Sequence, residues 1–201
     1  RTVAVGVSNG GYLVRRALEE RPDLFDGGVE LSGALWRASG PSFLTQLPAA
    51  LRCAERGFSP ESLKDAGLAL PDGWGGLASF YRDFLWGPTL AYFLAHLDPE
   101  WRGDPARYDY AARPVAVRRA VQGLECTGKL GKPLFSIAGE ADLLTPPGTH
   151  LEPYADLVKA AGRAALHRVV RVPGGSHNDA DRHLEPTAVA LMPAAHKAFL
   201  E

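Results

Sequence analysis

The stretch Thr2-Val3-Ala4-Val5-Gly6-Val7-Ser8-Asn9-Gly10-Gly11 decides the fold of this 201-residue chain. Its β-branched half predicts a strand over Thr2–Gly6, and a helical pattern with Leu13, Ala17 and Leu18 on one face follows. Gly-x-Ser-x-Gly between a strand and a helix is the sequence form of a nucleophile elbow, which projects a serine hydroxyl above a sheet. Gly6 and Gly10 flank this serine, and we expect that a Cβ at either position would crowd the turn. The stretch therefore predicts an α/β fold with Ser8 as a nucleophile.

Two later loops carry the acid and the base that an activated serine needs. The apolar run Pro133–Gly139 predicts a strand buried on both faces, and Asp142 follows it closely. The alternating run Leu166–Val172 predicts another strand, which leads into a turn-rich loop with His177. In open α/β sheets, catalytic groups lie on loops just past strand ends. We therefore predict Asp142 as the acid and His177 as the base.

Other carboxylates and histidines compete for these roles. Glu140 lies two residues before Asp142, and Glu30 lies in the predicted strand Gly28–Gly33, so either is an alternative acid. His183 is close to His177 but is more simply a surface group. His150 and His167 are expected to have no catalytic role, and His167 is expected to be solvated.

Composition excludes several classes of partner. The 22 basic and 23 acidic residues give a net charge of −1, so no electrostatic feature favours nucleic acid or an anionic membrane. No apolar run approaches the roughly 18 to 20 residues that span a bilayer. Asn178, Asp179 and Asp181 resemble calcium ligands in type but lack the spacing of a calcium loop, so we expect no metal and no cofactor. Cys53 and Cys126 are compatible with a disulfide or with two free thiols.

Three stretches divide the chain. We predict a sheet-containing core from residues 1–35 and 128–201, closed by a helix from Pro186 that buries Val189, Met192, Ala195 and Phe199. Residues 36–127 lack strand alternation, and Ser59-Pro60 is typical of a helix start, so we predict a helical lid. All four tryptophans lie in this insertion. Trp36 is the best candidate for a substrate contact, although a small helical domain also needs large side chains for its own core.

The motifs around Ser8, Asp142 and His177 resemble the triad of the α/β-hydrolase superfamily. Within it, Gly-Val-Ser-Asn-Gly-Gly, Asp-Leu-Leu-Thr-Pro-Pro and Gly-Gly-Ser-His resemble bacterial tannases, feruloyl esterases and hydroxybutyrate-oligomer hydrolases. The resemblance implies cleavage of a small-molecule carboxylic ester through an acyl-enzyme, with the backbone N–H of Asn9 as an oxyanion donor. Ser-Asn-Gly-Gly with Arg21-Pro22-Asp23-Leu24-Phe25 also resembles prolyl oligopeptidases, so amide hydrolysis is an alternative. A non-catalytic binding module is another.

The same resemblance implies a particular topology. In α/β hydrolases the elbow follows the fifth strand, so this chain would supply strands five to eight of the sheet together with the lid. We therefore expect an N-terminal fragment of the same enzyme as a second chain, which would supply the other oxyanion donor. The relatives favour a secreted or periplasmic location.

Overall fold

The structure is a computed structural model that describes residues 1–200. Its strands are β1 (Val3–Val7), β2 (Gly27–Leu31), β3 (Leu134–Gly139) and β4 (His167–Val172). Over the described residues they form one parallel sheet of four strands in the order β1-β2-β3-β4. The predicted strands are confirmed within two residues at each end, and the sheet confirms the predicted α/β fold class. Because all four strands are parallel, the loops after β1, β3 and β4 leave from the same edge.

Eight α-helices occur in residues 1–200. They are α1 (Asn9–Glu20), α2 (Phe43–Glu55), α3 (Pro60–Ala66), α4 (Gly75–Phe80), α5 (Gly87–Leu97), α6 (Val115–Gln122), α7 (Pro147–Ala160) and α8 (Met192–Leu200). A π-helical segment, Tyr81–Trp86, joins α4 to α5. Helix α1 connects β1 to β2, and α7 connects β3 to β4.

The chain divides into two compact units. The core unit is Arg1–Leu35 together with the chain from Cys126 onward, and the helical unit is Trp36–Glu125. The helical unit holds α2 to α6, and Trp36 packs edge-on against Phe43 and Phe93 inside it. A lid function for this unit stays a prediction.

Only part of the predicted face of helix α1 is buried. Leu18 is buried and Ala17 is half-buried, but Leu13 is 60 % exposed, whereas Tyr12, Val14 and Arg15 are buried. The prediction for Leu13 was wrong because the buried face contains an arginine, which an apolar pattern does not count. Arg15 is buried because Glu30 of β2 neutralises it.

Helix α8 begins later than the sequence predicts. Residues 186–191 form turns and a short bridge rather than helix, and Val189, Met192 and Phe199 are all more than 40 % exposed. Leu191, Ala195 and Ala198 instead pack on the sheet beside Val29, Leu31 and Ile137. The Asp179 carboxylate accepts the backbone N–H groups of Leu191 (2.5 Å) and Met192 (3.1 Å) and so fixes the start of α8. Predictions for Val189, Met192 and Phe199 were therefore wrong, and that for Ala195 was right.

Both cysteines are buried free thiols. Burial and the nearby Glu19 carboxylate raise the pKa of Cys126 to about 12, so it stays protonated. None of the helices in residues 1–200 is long and apolar enough to cross a membrane.

Candidate active site

Ser8 lies on a strained turn between β1 and α1. Its backbone angles are φ 58° and ψ −122°, a combination that side-chain-bearing residues rarely adopt and that is typical of functional turns. The Ser8 N–H donates to the Leu31 carbonyl (2.8 Å), and the Ser8 carbonyl accepts the N–H of Tyr12 (3.2 Å). This is the strand-to-helix geometry that the Gly-x-Ser-x-Gly sequence predicts.

The glycines around Ser8 have separate roles. A Cβ on Gly6 would overlap the backbone of Gly10, so the prediction for Gly6 holds. The prediction for Gly10 was wrong, because a Cβ there would meet no atom within 4 Å. Gly11 is the restricted position instead, since its Cβ would lie 2.8 Å from the Gly33 Cα. Close packing of α1 on the turn after β2 requires this glycine.

Asp142 and His177 are in direct contact on the loops after β3 and β4. His177 Nδ1 lies 2.9 Å from Asp142 Oδ2 and 3.1 Å from Oδ1, and both residues are buried. An ionised carboxylate only accepts hydrogen bonds, so this contact assigns the imidazole proton to Nδ1 and leaves Nε2 free to act as a base. Glu140, the alternative acid, is exposed.

The pair perturbs the pKa of both partners. Burial alone would raise the pKa of Asp142, but the His177 charge and hydrogen bonds from His177 and Thr145 outweigh it and lower this pKa to about 2. Burial would lower the pKa of His177, yet the attraction and hydrogen bond of Asp142, helped by Asp181, raise it above 6.5. The carboxylate is therefore ionised across the physiological range.

The loop after β3 holds the Asp142 carboxylate rigidly. Oδ1 accepts the backbone N–H groups of Leu144 and Thr145, each at 2.8 Å. The Thr145 hydroxyl lies 2.8 Å from Oδ2 and 3.1 Å from His177 Nδ1. Thr145 was not among the residues predicted from the sequence. A residue three positions after an aspartate often donates its backbone N–H to that carboxylate, as at the start of a helix. This spacing points to Thr145 only once Asp142 is known to be the acid.

A buried turn, Ser32–Leu35, joins the elbow to the acid loop. The Thr145 hydroxyl lies 3.0 Å from the Ser32 carbonyl, and the Ala34 N–H donates to the Ser8 carbonyl at 3.1 Å. Ser32 adopts φ 50°, which is uncommon for a residue with a side chain. The turn thus contacts the Ser8 backbone on one side and the acid loop on the other.

Arg15 and Glu30 form hydrogen bonds to the backbone of this turn. Arg15 Nη2 lies 2.6 Å from Glu30 Oε1, and Glu30 Oε2 accepts the Gly33 N–H at 2.7 Å. Arg15 Nη1 also donates to the carbonyls of Ala34 and His150, both at 3.3 Å. Glu30, considered above as an alternative acid, is engaged in this ion pair.

His150 is buried, and His167 is less exposed than expected. The Leu35 N–H donates to His150 Nδ1 at 2.9 Å, and burial lowers the His150 pKa to about 3, so it is neutral. His167 is half-buried rather than fully solvated, since it lies 2.8 Å from the buried Ser136 hydroxyl, and burial lowers its pKa to about 4. Neither histidine was predicted to take part in the site, yet His150 supports the Ser32–Leu35 turn.

The other predicted groups occupy distinct places. Asn9 is the first residue of α1, so its N–H lies at the positive end of the helix. Ser8 Oγ forms no hydrogen bond to His177 in residues 1–200. Such catalytic contacts are often long before substrate binds. Trp36 packs inside the helical unit, and its predicted contact with substrate stays a prediction.

The parallel sheet, the strained serine turn after β1, and the order serine, aspartate, histidine along the chain are now established. The chain has an α/β fold, and its serine turn has the local features of a nucleophile elbow. No family profile and no curated protein sequence matches the chain.

Among solved structures, the chain is similar to an acylaminoacyl peptidase from Pyrococcus horikoshii, with 16% identity over 94% of this chain and a TM-score of 0.47. It is also similar to an α/β hydrolase enzyme from a Medee basin deep-sea metagenome library, with 17% identity over 92% of this chain and a TM-score of 0.42. A monoacylglycerol lipase from Paleococcus ferrophilus gives 19% identity over 88% of the chain and a TM-score of 0.40. The alignment covers 22% of the peptidase and 60% of each of the other two.

Proposed function

We propose that this chain carries the triad of a serine hydrolase that cleaves carboxylic esters through an acyl-enzyme. The observation that carries the proposal is the buried contact of 2.9 Å between His177 Nδ1 and Asp142 Oδ2, on the sheet edge where Ser8 occupies its strained turn. A nucleophile, a base and an orienting acid that follow strands at one edge of the sheet are the parts of such a triad.

The reaction would proceed in two steps. His177 Nε2 removes the Ser8 proton while the Ser8 oxygen attacks the ester carbonyl, and the N–H of Asn9 donates to the oxyanion. His177 then protonates the departing alcohol, which leaves an acyl group on Ser8. Water attacks that acyl-enzyme with the same base, and the acid is released. Asp142 keeps the proton on Nδ1 and stabilises the imidazolium that forms at each step.

The direct test is covalent labelling with a fluorophosphonate, followed by peptide mass spectrometry. We expect one adduct on Ser8, which is lost in the His177→Ala variant. Ser136→Ala is the matched control, because Ser136 also contacts a histidine but is fully buried within β3. Its labelling should equal that of the wild type. Absence of an adduct on Ser8 in the wild-type protein would contradict the proposal.

Substrate class is tested separately. The helical insertion between β2 and β3 favours an esterase over a prolyl-oligopeptidase-like enzyme, since that family's catalytic domain has no such insertion there. Turnover of a short-chain nitrophenyl ester should therefore exceed turnover of a proline nitroanilide. The reverse order would support the peptidase alternative while leaving the triad intact.

We also propose that β1 pairs with a strand from an N-terminal segment of the same enzyme. In the described residues β1 pairs with β2 alone, and Val3, Val5 and Val7 are 40 %, 55 % and 43 % exposed on it. An open apolar strand edge is a surface that proteins normally cover. Native mass spectrometry of the purified enzyme should give a mass well above 21.6 kDa. A soluble and active 21.6 kDa species would refute this pairing.

A further inference from the structure

Thr145 lies at the centre of the contacts that hold the acid and the base together. Its hydroxyl oxygen is 2.8 Å from Asp142 Oδ2, 3.1 Å from His177 Nδ1 and 3.0 Å from the Ser32 carbonyl. The residue is 1 % exposed, so solvent does not reach its hydroxyl and cannot take over these hydrogen bonds. We propose that Thr145 is a positioning residue that keeps the Asp142 carboxylate aligned with His177. This inference rests on the proposed function.

The donors and acceptors around the Thr145 hydroxyl determine where its hydrogen points. The Asp142 carboxylate and the Ser32 carbonyl can only accept, whereas the Thr145 hydroxyl donates one hydrogen and accepts through its oxygen. Its hydrogen is therefore directed to Oδ2 or to Ser32, and its oxygen is available to the Nδ1–H of His177. The Nδ1–H is then surrounded by three oxygens, which favours this tautomer at every stage of the reaction.

The backbone of Thr145 fixes the opposite side of the carboxylate. Its N–H donates to Oδ1 at 2.8 Å, so one residue contacts both oxygens of Asp142. This clamp prevents the carboxylate from rotating away from the imidazole. Substitution of the side chain removes half of the clamp and leaves the backbone half, so it should weaken alignment without removing the acid.

The Thr145→Val variant removes the hydroxyl at nearly constant shape. We expect kcat for a nitrophenyl ester to fall about tenfold or more with KM nearly unchanged, because alignment of the base affects the chemical step. Thr145→Ser restores a hydroxyl and should recover at least a third of the wild-type kcat. Thr149→Val, one turn into α7, is the matched control and should match the wild type.

Proton NMR gives a readout that does not depend on substrate. The far-downfield resonance of the His177 Nδ1–H, assigned by its loss in His177→Ala, should weaken or move upfield in Thr145→Val and persist in Thr145→Ser. If wild-type protein shows this resonance pattern but forms no fluorophosphonate adduct, the proposed function fails and the positioning role stands. If the resonance and kcat are both unchanged in a folded Thr145→Val protein, the positioning role is refuted. Thr145→Ala serves the same comparison if the valine variant does not fold.

Discussion

Glu30→Gln should strongly destabilise the core unit. It leaves the Arg15 guanidinium without its counter-charge in a place where the side chain has no exposure to solvent. Removing one partner of a buried ion pair costs about 3 to 5 kcal/mol, a large part of a typical stability of about 5 to 15 kcal/mol. Reorienting the amide does not solve the problem. Glutamine cannot accept from both Arg15 and the Gly33 N–H, since one of its two polar atoms is a donor.

The assay is native-state hydrogen exchange of the β2 and β3 amides, which report the core unit. A loss of about 4 kcal/mol predicts exchange about 10³-fold faster at the slowest amides. Tryptophan fluorescence is a poor probe of this change, because all four tryptophans lie in the helical unit.

The matched control is Glu20→Gln. Glu20 is exposed and pairs with Arg16, which lies one turn earlier on α1. Exposed pairs of this kind contribute about 0.3 to 0.5 kcal/mol, so exchange should change by about twofold. The double variant Arg15→Met/Glu30→Gln should cost less than the sum of its single variants, because no unpaired charge remains. If Glu30→Gln costs below about 1 kcal/mol, or no more than Glu20→Gln, then the buried pair does not hold the turn after β2 as argued.

Three further predictions concern the site itself. Asp142→Asn should lower kcat by about 10³- to 10⁴-fold. In the same variant the acid limb of kcat/KM against pH should move to lower pH, because the charge that raises the His177 pKa is gone. Burial lowers the His150 pKa from 6.5 to about 3, so the free energy of unfolding of the wild type should fall as pH drops below 6.5. When this free energy is measured by urea unfolding and plotted against pH between 6 and 4, its slope should be shallower in His150→Gln by about 1.4 kcal/mol per pH unit. Thermal unfolding should show a large loss for Gly11→Ala, whose Cβ meets backbone at 2.8 Å, and little change or a gain for Gly10→Ala, whose Cβ meets nothing within 4 Å.

The sequence contained enough information to place the strands and the candidate triad. Local signals sufficed there, because β-branched runs ending in glycine-rich turns define where parallel strands stop, and catalytic groups follow such ends. Asp142 and His177 lie 35 positions apart, yet their contact was predictable since both follow neighbouring strands of one sheet.

The errors came from interactions between residues distant in sequence. Helix α8 starts where Asp179 accepts two of its N–H groups, and no local pattern at Met192 shows a cap 13 positions away. Leu13 was placed on the buried face of α1 in error, because Arg15 occupies that face and is buried only through Glu30. Thr145 and His150 were missed for the same reason, since each acquires its role from a partner on another element.

Arg15, Glu30, His150 and Thr145 all donate to or accept from the Ser32–Leu35 turn, which their contribution to stability does not explain. An ion pair such as Arg15–Glu30 gains little over apolar packing, yet here its remaining hydrogen bonds all go to the turn after β2 or to α7. His150 adds a bond to the same turn at Leu35, and Thr145 adds another at Ser32. These buried hydrogen bonds favour one conformation of the turn, because a conformation that breaks them leaves buried donors or acceptors unpaired. That turn donates to the Ser8 carbonyl through Ala34 and accepts from Thr145 of the acid loop through Ser32, so its conformation couples the position of the serine to that of the acid.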